Sequence, residues 1–150
     1  MVDAEFGGRL QARRGELIDA FGDGGIVAQW QGRMLGLACW KREVADRSIA
    51  EVTCLVVDSS QRQRGIGRAL LDATTAELHA DGVRRVWLVT TNDNLVALRL
   101  YQRAGFRLTA LEPGAIDEAR RTLKPSIGTI GQHGIPIRDE LELTREFDSA

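Results

Sequence analysis

The 150-residue chain reads as an α/β fold with a mixed central β-sheet flanked by helices. Three observations predict it. A two-strand pattern around a tight turn covers residues 26–43. A strand–helix–strand unit follows over 49–91. Two further strand patterns, 106–111 and 139–147, close the chain. The length suits one domain with a core of its own, spanning 1–150.

Leu10, Leu17, Ile18 and Phe21 recur at i, i+7, i+8 and i+11, which predicts a helix closing at Gly22. MVDAEFGG before it offers no strand pattern. The cluster GDGG (22–25) is a turn, IVAQW (26–30) a strand and MLGLACWKRE (34–43) its hairpin partner. IAEVTCLVVD (49–58) is β-branched and apolar on both faces, as a central strand is. The period then changes. Ile66, Leu70, Leu71, Ala73 and Leu78 form one helix face, and Gly82 stands where a left-handed C-cap belongs. RRVWLVTT (84–91) is a second buried strand, so 49–91 is a crossover of the parallel, right-handed kind. Asn94 caps a short helix that ends at Gly105. FRLTAL and DELELTREF flank a helical DEARRTL and a long irregular stretch, KPSIGTIGQHGIPIR, whose four isoleucines predict that it packs on something.

Composition excludes several classes. Twenty Lys+Arg oppose 21 Asp+Glu, evenly between the halves, which is not the footprint of a nucleic-acid binder. No apolar run reaches the roughly 18 residues of a membrane span, and the N-terminus lacks a signal peptide's apolar stretch, so a cytoplasmic location is expected. Cys39 and Cys54 cannot form a disulfide framework, and no Cys/His cluster has zinc spacing, so no metal is expected.

The most informative segment is VVDSSQRQRGIGRAL (56–70), a strand running into a turn whose Gly65 and Gly67 open the next helix. Successive N–H groups there, backed by the helix dipole and by Arg62, Arg64 and Arg68, can cradle a phosphate or pyrophosphate. From the two glycines alone a plain strand-to-helix turn explains the pattern equally well. A dinucleotide fingerprint fits worse, since Leu70 takes the third glycine position, and a Walker A loop is absent.

R62-Q-R-G65-I-G67 resembles the Q/R-x-x-G-x-G/A signature of the GNAT acyl-CoA N-acyltransferases. Asn94, Ala97, Leu98, Tyr101, Gly105 and Phe106 in NLVALRLYQRAGF resemble that family's N-x-x-A-x-x-x-Y-x-x-x-G-F signature. The two stand in the family's order, with a strand between them. TTNDN and the PSI…GIPIRDELEL ending are similar to a group of small bacterial members. The resemblance implies a GNAT-type sheet splayed at the cofactor site, acetyl-CoA as cosubstrate, and acetyl transfer to a primary amine by direct attack in a ternary complex. It implies that Arg62, Gln63, Arg64, Gly65, Ile66, Gly67 and Arg68 hold the pyrophosphate. Leu55, Val56 and Val57 would pair with the pantetheine arm, and Asn94 and Ala97 would border it. Tyr101, the only tyrosine, matches the family's frequent general acid. Glu51, fourteen residues before Gly65, matches the catalytic glutamate of some members, and a solvent-facing or salt-bridged glutamate is the other reading. A small-molecule or peptide amine is the implied acceptor. The family's usual first strand finds no counterpart here, so a homodimer that supplies the element is one expectation. A non-catalytic acyl-CoA sensor is the rival reading, and a nucleotide-binding protein a third. His79 and His133 are expected at the surface, Trp30, Trp40 and Trp87 in the core or an interface, and Cys54 inert on the buried strand. Asp93, Arg138, Asp139 and Glu140 flank segments that could line the acceptor side.

Overall fold

A computed structural model describes residues 9–148. The segment MVDAEFGG, in which no strand was expected, lies at 1–8, outside the described residues. The helix predicted over 10–21 is not formed. The segment folds instead as a hairpin of β1 (Leu10–Arg13) and β2 (Glu16–Asp19), in register Leu10↔Asp19 to Arg13↔Glu16. The two turn residues, Arg14 (φ +49°) and Gly15 (φ +76°), are both left-handed, the geometry of a tight two-residue hairpin turn, and glycine takes it without a Cβ penalty. The apolar stripe that suggested a helix is not buried, since Leu10 is 57% and Leu17 42% exposed. Ion pairs from the turn to the main sheet hold the segment in this form, and no local period encodes those pairs.

The main sheet has the order β3-β4-β5-β6-β8-β7. It comprises β3 (Gly24–Trp30), β4 (Arg33–Arg42), β5 (Ile49–Val57), β6 (Arg85–Thr91), β7 (Arg107–Glu112) and β8 (Glu140–Glu146). Helix α1 (Ile66–Ala80) crosses from β5 to β6, the one parallel pair among the described residues. Helix α2 (Leu95–Arg103) joins β6 to β7, and α3 (Ala115–Thr122) opens the connection to β8, which inserts antiparallel between β6 and β7. The hairpin, crossover and closing strands read from sequence are all present. The core lies on the α1/α2 side. Ala50, Val52, Val86, Leu88 and Leu143 meet Leu71, Leu78, Tyr101, Ala104 and Phe106 there. A second cluster, Ala20, Cys39, Cys54 and Val56, fills the opposite face of β4 and β5 beneath the hairpin.

Residues 124–138 are ordered by polar anchors more than by their isoleucines, of which Ile130 is exposed. The Arg120 guanidinium donates to the carbonyls of Ile127 (2.9 Å), Gly128 (2.7 Å) and Ile137 (2.8 Å). From the other side Asn92 donates to the Pro136 carbonyl (2.9 Å) and accepts from the amides of Arg138 and Asp139. Three charge-assisted bonds from one side chain make Arg120 the clamp of the segment. Arg120→Ala is therefore expected to cost about 2 kcal/mol in a denaturation experiment and to open 124–138 to limited proteolysis before the sheet unfolds.

Candidate cofactor and acceptor site

β5 and β6 are paired only at Ile49↔Arg85, Ala50↔Val86 and Glu51↔Trp87; beyond that the ladder ends. The cause lies on the other edge of β5. Against β4, Cys54 pairs with Cys39 and Val52 with Trp40, which leaves Thr53 as an extra, bulged residue. A bulge bends its strand. The Thr53 hydroxyl donates to the Ala20 carbonyl (2.6 Å) and ties the bulge to the end of the hairpin. Leu55, Val56 and Val57 thus have β4 on one side and no ladder to β6 on the other. Backbone groups left so need another partner.

At the mouth of this gap stands the glycine turn. Gly65 is the N-cap of α1 at φ +82°, with no side-chain cap bond, and nothing lies within 4 Å of where a Cβ on it would stand. The first i→i−4 bond of α1 runs from the Ala69 amide to the Gly65 carbonyl (3.0 Å), so the amides of Ile66, Gly67 and Arg68 have no intrahelical acceptor. Gly67 faces Val57 of β5 and Leu100 of α2, at 3.6 and 3.5 Å from a would-be Cβ. Arg62, Gln63, Arg64 and Arg68 are exposed around the turn, with Arg68 also on Asp72 at 3.0 Å. A hollow of about 270 Å³ beside it is lined by Arg68, Val96, Arg99, Leu100 and Arg103. Sequence reading missed Arg99 and Arg103; their i,i+4 spacing on a capped helix was the available signal.

On α2, Asn94 caps the helix, its Oδ1 accepting from the Ala97 amide (3.2 Å). Tyr101 belongs to the buried cluster on the helix side of the sheet, its ring 6.3 Å from that of Phe106. Burial pushes its phenol up to about 12, so it is protonated at neutral pH. Leu55 of β5 packs against the same buried cluster that holds Tyr101.

Glu51 points to the opposite face. Both of its oxygens accept from Arg13, at 2.8 and 2.7 Å, in a forked pair with both side chains largely buried. Burial raises its pKa, and the Arg13 guanidinium opposes that rise. The next hairpin residue, Arg14, stacks its guanidinium 3.6 Å over Trp87 and pairs with Glu142, while its amide donates to Glu140. A larger hollow of about 510 Å³ on this face is lined by Trp87, Arg85, Glu142 and Thr144 among others, at the end of β6 where the strands are still paired. Asp93, also buried, accepts from Thr91 and from the Gln132 amide. His133 is exposed and His79 stacks on Phe147. Cys54 faces Cys39, and its hydrogen bond with that thiol and its burial push its own thiol up, away from a reactive thiolate.

The model of the acetyltransferase (GNAT) family matches residues 3–106. The chain belongs to that family. A Bacillus subtilis (strain 168) protein of uncharacterised role, YdhI, is 33% identical over 126 residues, 84% of this chain and 75% of its own length. A second from the same strain, YxbD, is 40% identical over 99 residues, 65% of this chain and 62% of its own length. A mycothiol acetyltransferase of Geodermatophilus obscurus is 34% identical over 98 residues, 61% of this chain but 32% of that protein. The chain thus spans about a third of that relative and less than two thirds of YxbD. Among solved structures, an IAA acetyltransferase from Bacillus cereus superposes with a TM-score of 0.71 at 23% identity, covering 82% of this chain and 77% of that one. A Bacillus subtilis acetyltransferase in complex with CoA superposes at 0.70 and 21%, covering 83% and 76%. These place the GNAT fold, with its mixed sheet of six strands and three helices, beyond the motifs, and the chain is an acyltransferase by family.

Removing Arg13 would leave the Glu51 carboxylate buried and unpaired. Arg13→Ala is expected to cost about 3–5 kcal/mol at neutral pH. Without the guanidinium, the folded-state pKa of Glu51 rises further above its unfolded value. The native state then holds more protons than the unfolded one, so stability falls as pH rises through the window between those values. Denaturant titrations of both proteins should show the variant's deficit shrinking as pH is lowered through that window.

Proposed function

We propose that this GNAT protein transfers the acetyl group of acetyl-CoA to a primary amine, by direct attack while both are bound. One observation carries the reading: β5 and β6 part after three residue pairs, with an uncapped, glycine-opened helix N-terminus at the mouth of the parting. The backbone of Leu55–Val57 would hydrogen-bond the amides of the pantetheine arm, and the amides from Gln63 to Arg68 would receive the diphosphate, where the helix dipole favours negative charge. Arg68, Arg99 and Arg103 line the neighbouring hollow and suit the remaining phosphate of the cosubstrate. Asn94, its oxygen engaged in capping, offers its amide N–H donors to the arm, with Ala97 as a small neighbour.

In the reaction the amine nitrogen forms a bond to the thioester carbonyl carbon. The C–S bond then breaks, and the thiolate leaves toward the helix side. Tyr101 supplies the proton to that sulfur. A buried phenol held protonated at neutral pH is a competent donor to a developing thiolate.

Two variants test the two halves of the reading. Gly65→Val should raise the dissociation constant of coenzyme A by about 100-fold in calorimetry, since a side chain would occupy the cradle. The left-handed backbone adds a stability loss of only about 1–2 kcal/mol. Unchanged affinity would remove the cradle from the site. Tyr101→Phe should lower kcat about 100-fold or more, with coenzyme A affinity unchanged. Full turnover by that variant would exclude Tyr101 as the acid.

A further inference from the structure

Among the described residues three carboxylic acids are buried: Glu51, Asp93 and Glu140. They differ in what their oxygens still have to offer. Asp93 accepts from the Thr91 hydroxyl at one oxygen and from the Gln132 amide at the other. Glu51 has both oxygens in the Arg13 fork. Glu140 receives one donor, the Arg14 amide, shared between its oxygens at 3.2 and 3.3 Å. A carboxylate has about four lone-pair sites, so Glu140 keeps most of its accepting capacity while 6% exposed.

Its place in the sheet matches that capacity. Glu140 is the register partner of Thr91, the last residue of β6. The final β5–β6 pair is Glu51↔Trp87; four levels further along come Thr91 on β6 and, past the one residue absorbed by the Thr53 bulge, Val56 on β5. Glu140 therefore stands level with Val56, within the stretch of β5 that would hold the pantetheine arm. Glu51 stands lower, where the strands are still joined. The Arg14 amide that reaches Glu140 belongs to the residue whose guanidinium covers Trp87. That puts Glu140 on the hairpin face of the sheet, opposite the helix-side cluster that contains Tyr101.

We propose that Glu140 is the general base of the transfer and that Glu51 anchors the hairpin through Arg13. This rests on the acetyl-transfer reading above. An amine arriving from the hairpin face gives a proton to Glu140 as its nitrogen bonds to the thioester carbon. The C–S bond breaks with its electron pair on sulfur, and the Tyr101 phenol protonates that thiolate from the other face. Solvent then returns a proton to Tyr101 and removes one from Glu140, so no oxidant or reductant enters. Burial raises the pKa of Glu140, as a base requires. The charges that face it are Arg13 and Arg14 of the hairpin, Glu142 on its own strand and Glu112, its partner on β7.

The test offers the full chain acetyl-CoA with a panel of primary amines: spermidine, a lysine-containing peptide, an alkylamine and an aromatic amine. Release of coenzyme A is followed against pH. For any amine the wild type acetylates, Glu140→Gln should lower kcat/KM by about 100-fold or more and abolish the acidic limb of the profile. Acetyl-CoA affinity in calorimetry should be unchanged. Glu77→Gln, an exposed position on α1 away from both faces of the gap, should stay within about threefold of wild type. If the melting temperature of Glu140→Gln falls markedly, Glu140→Asp is read in its place, with the same limb expected at reduced rate. Retention of rate and limb by Glu140→Gln, or loss of the limb in a folded Glu51→Gln but not in Glu140→Gln, would overturn the assignment and leave acetyl transfer standing. Bound acetyl-CoA with no release to any of these amines would overturn the acetyl-transfer reading itself, and this one with it.

Discussion

Everything in the candidate site depends on the bulge at Thr53. With an unbroken ladder, β5 and β6 would pair along their length, as parallel neighbours joined by a crossover helix normally do, and no edge would be left for a ligand. One extra residue against β4, held by a hydroxyl bond to Ala20, bends β5 away after three pairs. The parting exposes backbone donors and acceptors in the interior of a sheet, where they would otherwise be costly. The glycine turn and the unsatisfied amides of α1 lie at the open end of the same strand. An open strand edge and an uncapped helix N-terminus thus lie side by side at this end of β5.

The two faces of the sheet are built by different physics. On the helix side apolar packing dominates: Phe106, Leu71 and Leu88 are nearly fully buried, each contributing on the order of 1.5–3 kcal/mol, and Tyr101 is seated among such residues with its phenol held protonated. On the hairpin side charge dominates. Two successive arginines at a tight turn meet Glu51, Glu142 and the face of Trp87, and the backbone of the second contacts Glu140. Such an arrangement depends on geometry, because each carboxylate is stable when buried only while its donor is in place. The polar residues after β6 do similar work: Asn92 and Asp93 hold the segment before β8 and so set where Glu140 begins its strand.

Most strands and helices were legible in the sequence because each is announced locally. Asn94 caps, glycines terminate, and alternation or 3.6-residue periodicity marks buried faces. The first hairpin was misread because Leu10, Leu17, Ile18 and Phe21 imitate a helix face, while the deciding contacts are made by Arg13 and Arg14 to residues 38 and 128 positions away. The glycine-opened start of α1 and Tyr101 stand in two short motifs, whereas Arg99 and Arg103 stand in neither and carried only the weaker signal of their i,i+4 spacing on α2.

From the chain of residues came the type and order of the elements around the crossover and the identity of the groups able to bind an anion or donate a proton, because these depend on neighbours within one turn or one strand. The tertiary structure decided where β5 leaves β6, which face each carboxylate occupies, and that Arg13 rather than solvent meets Glu51. Those outcomes rest on strand register and on ion pairs between distant segments, and no local pattern in a sequence contains them.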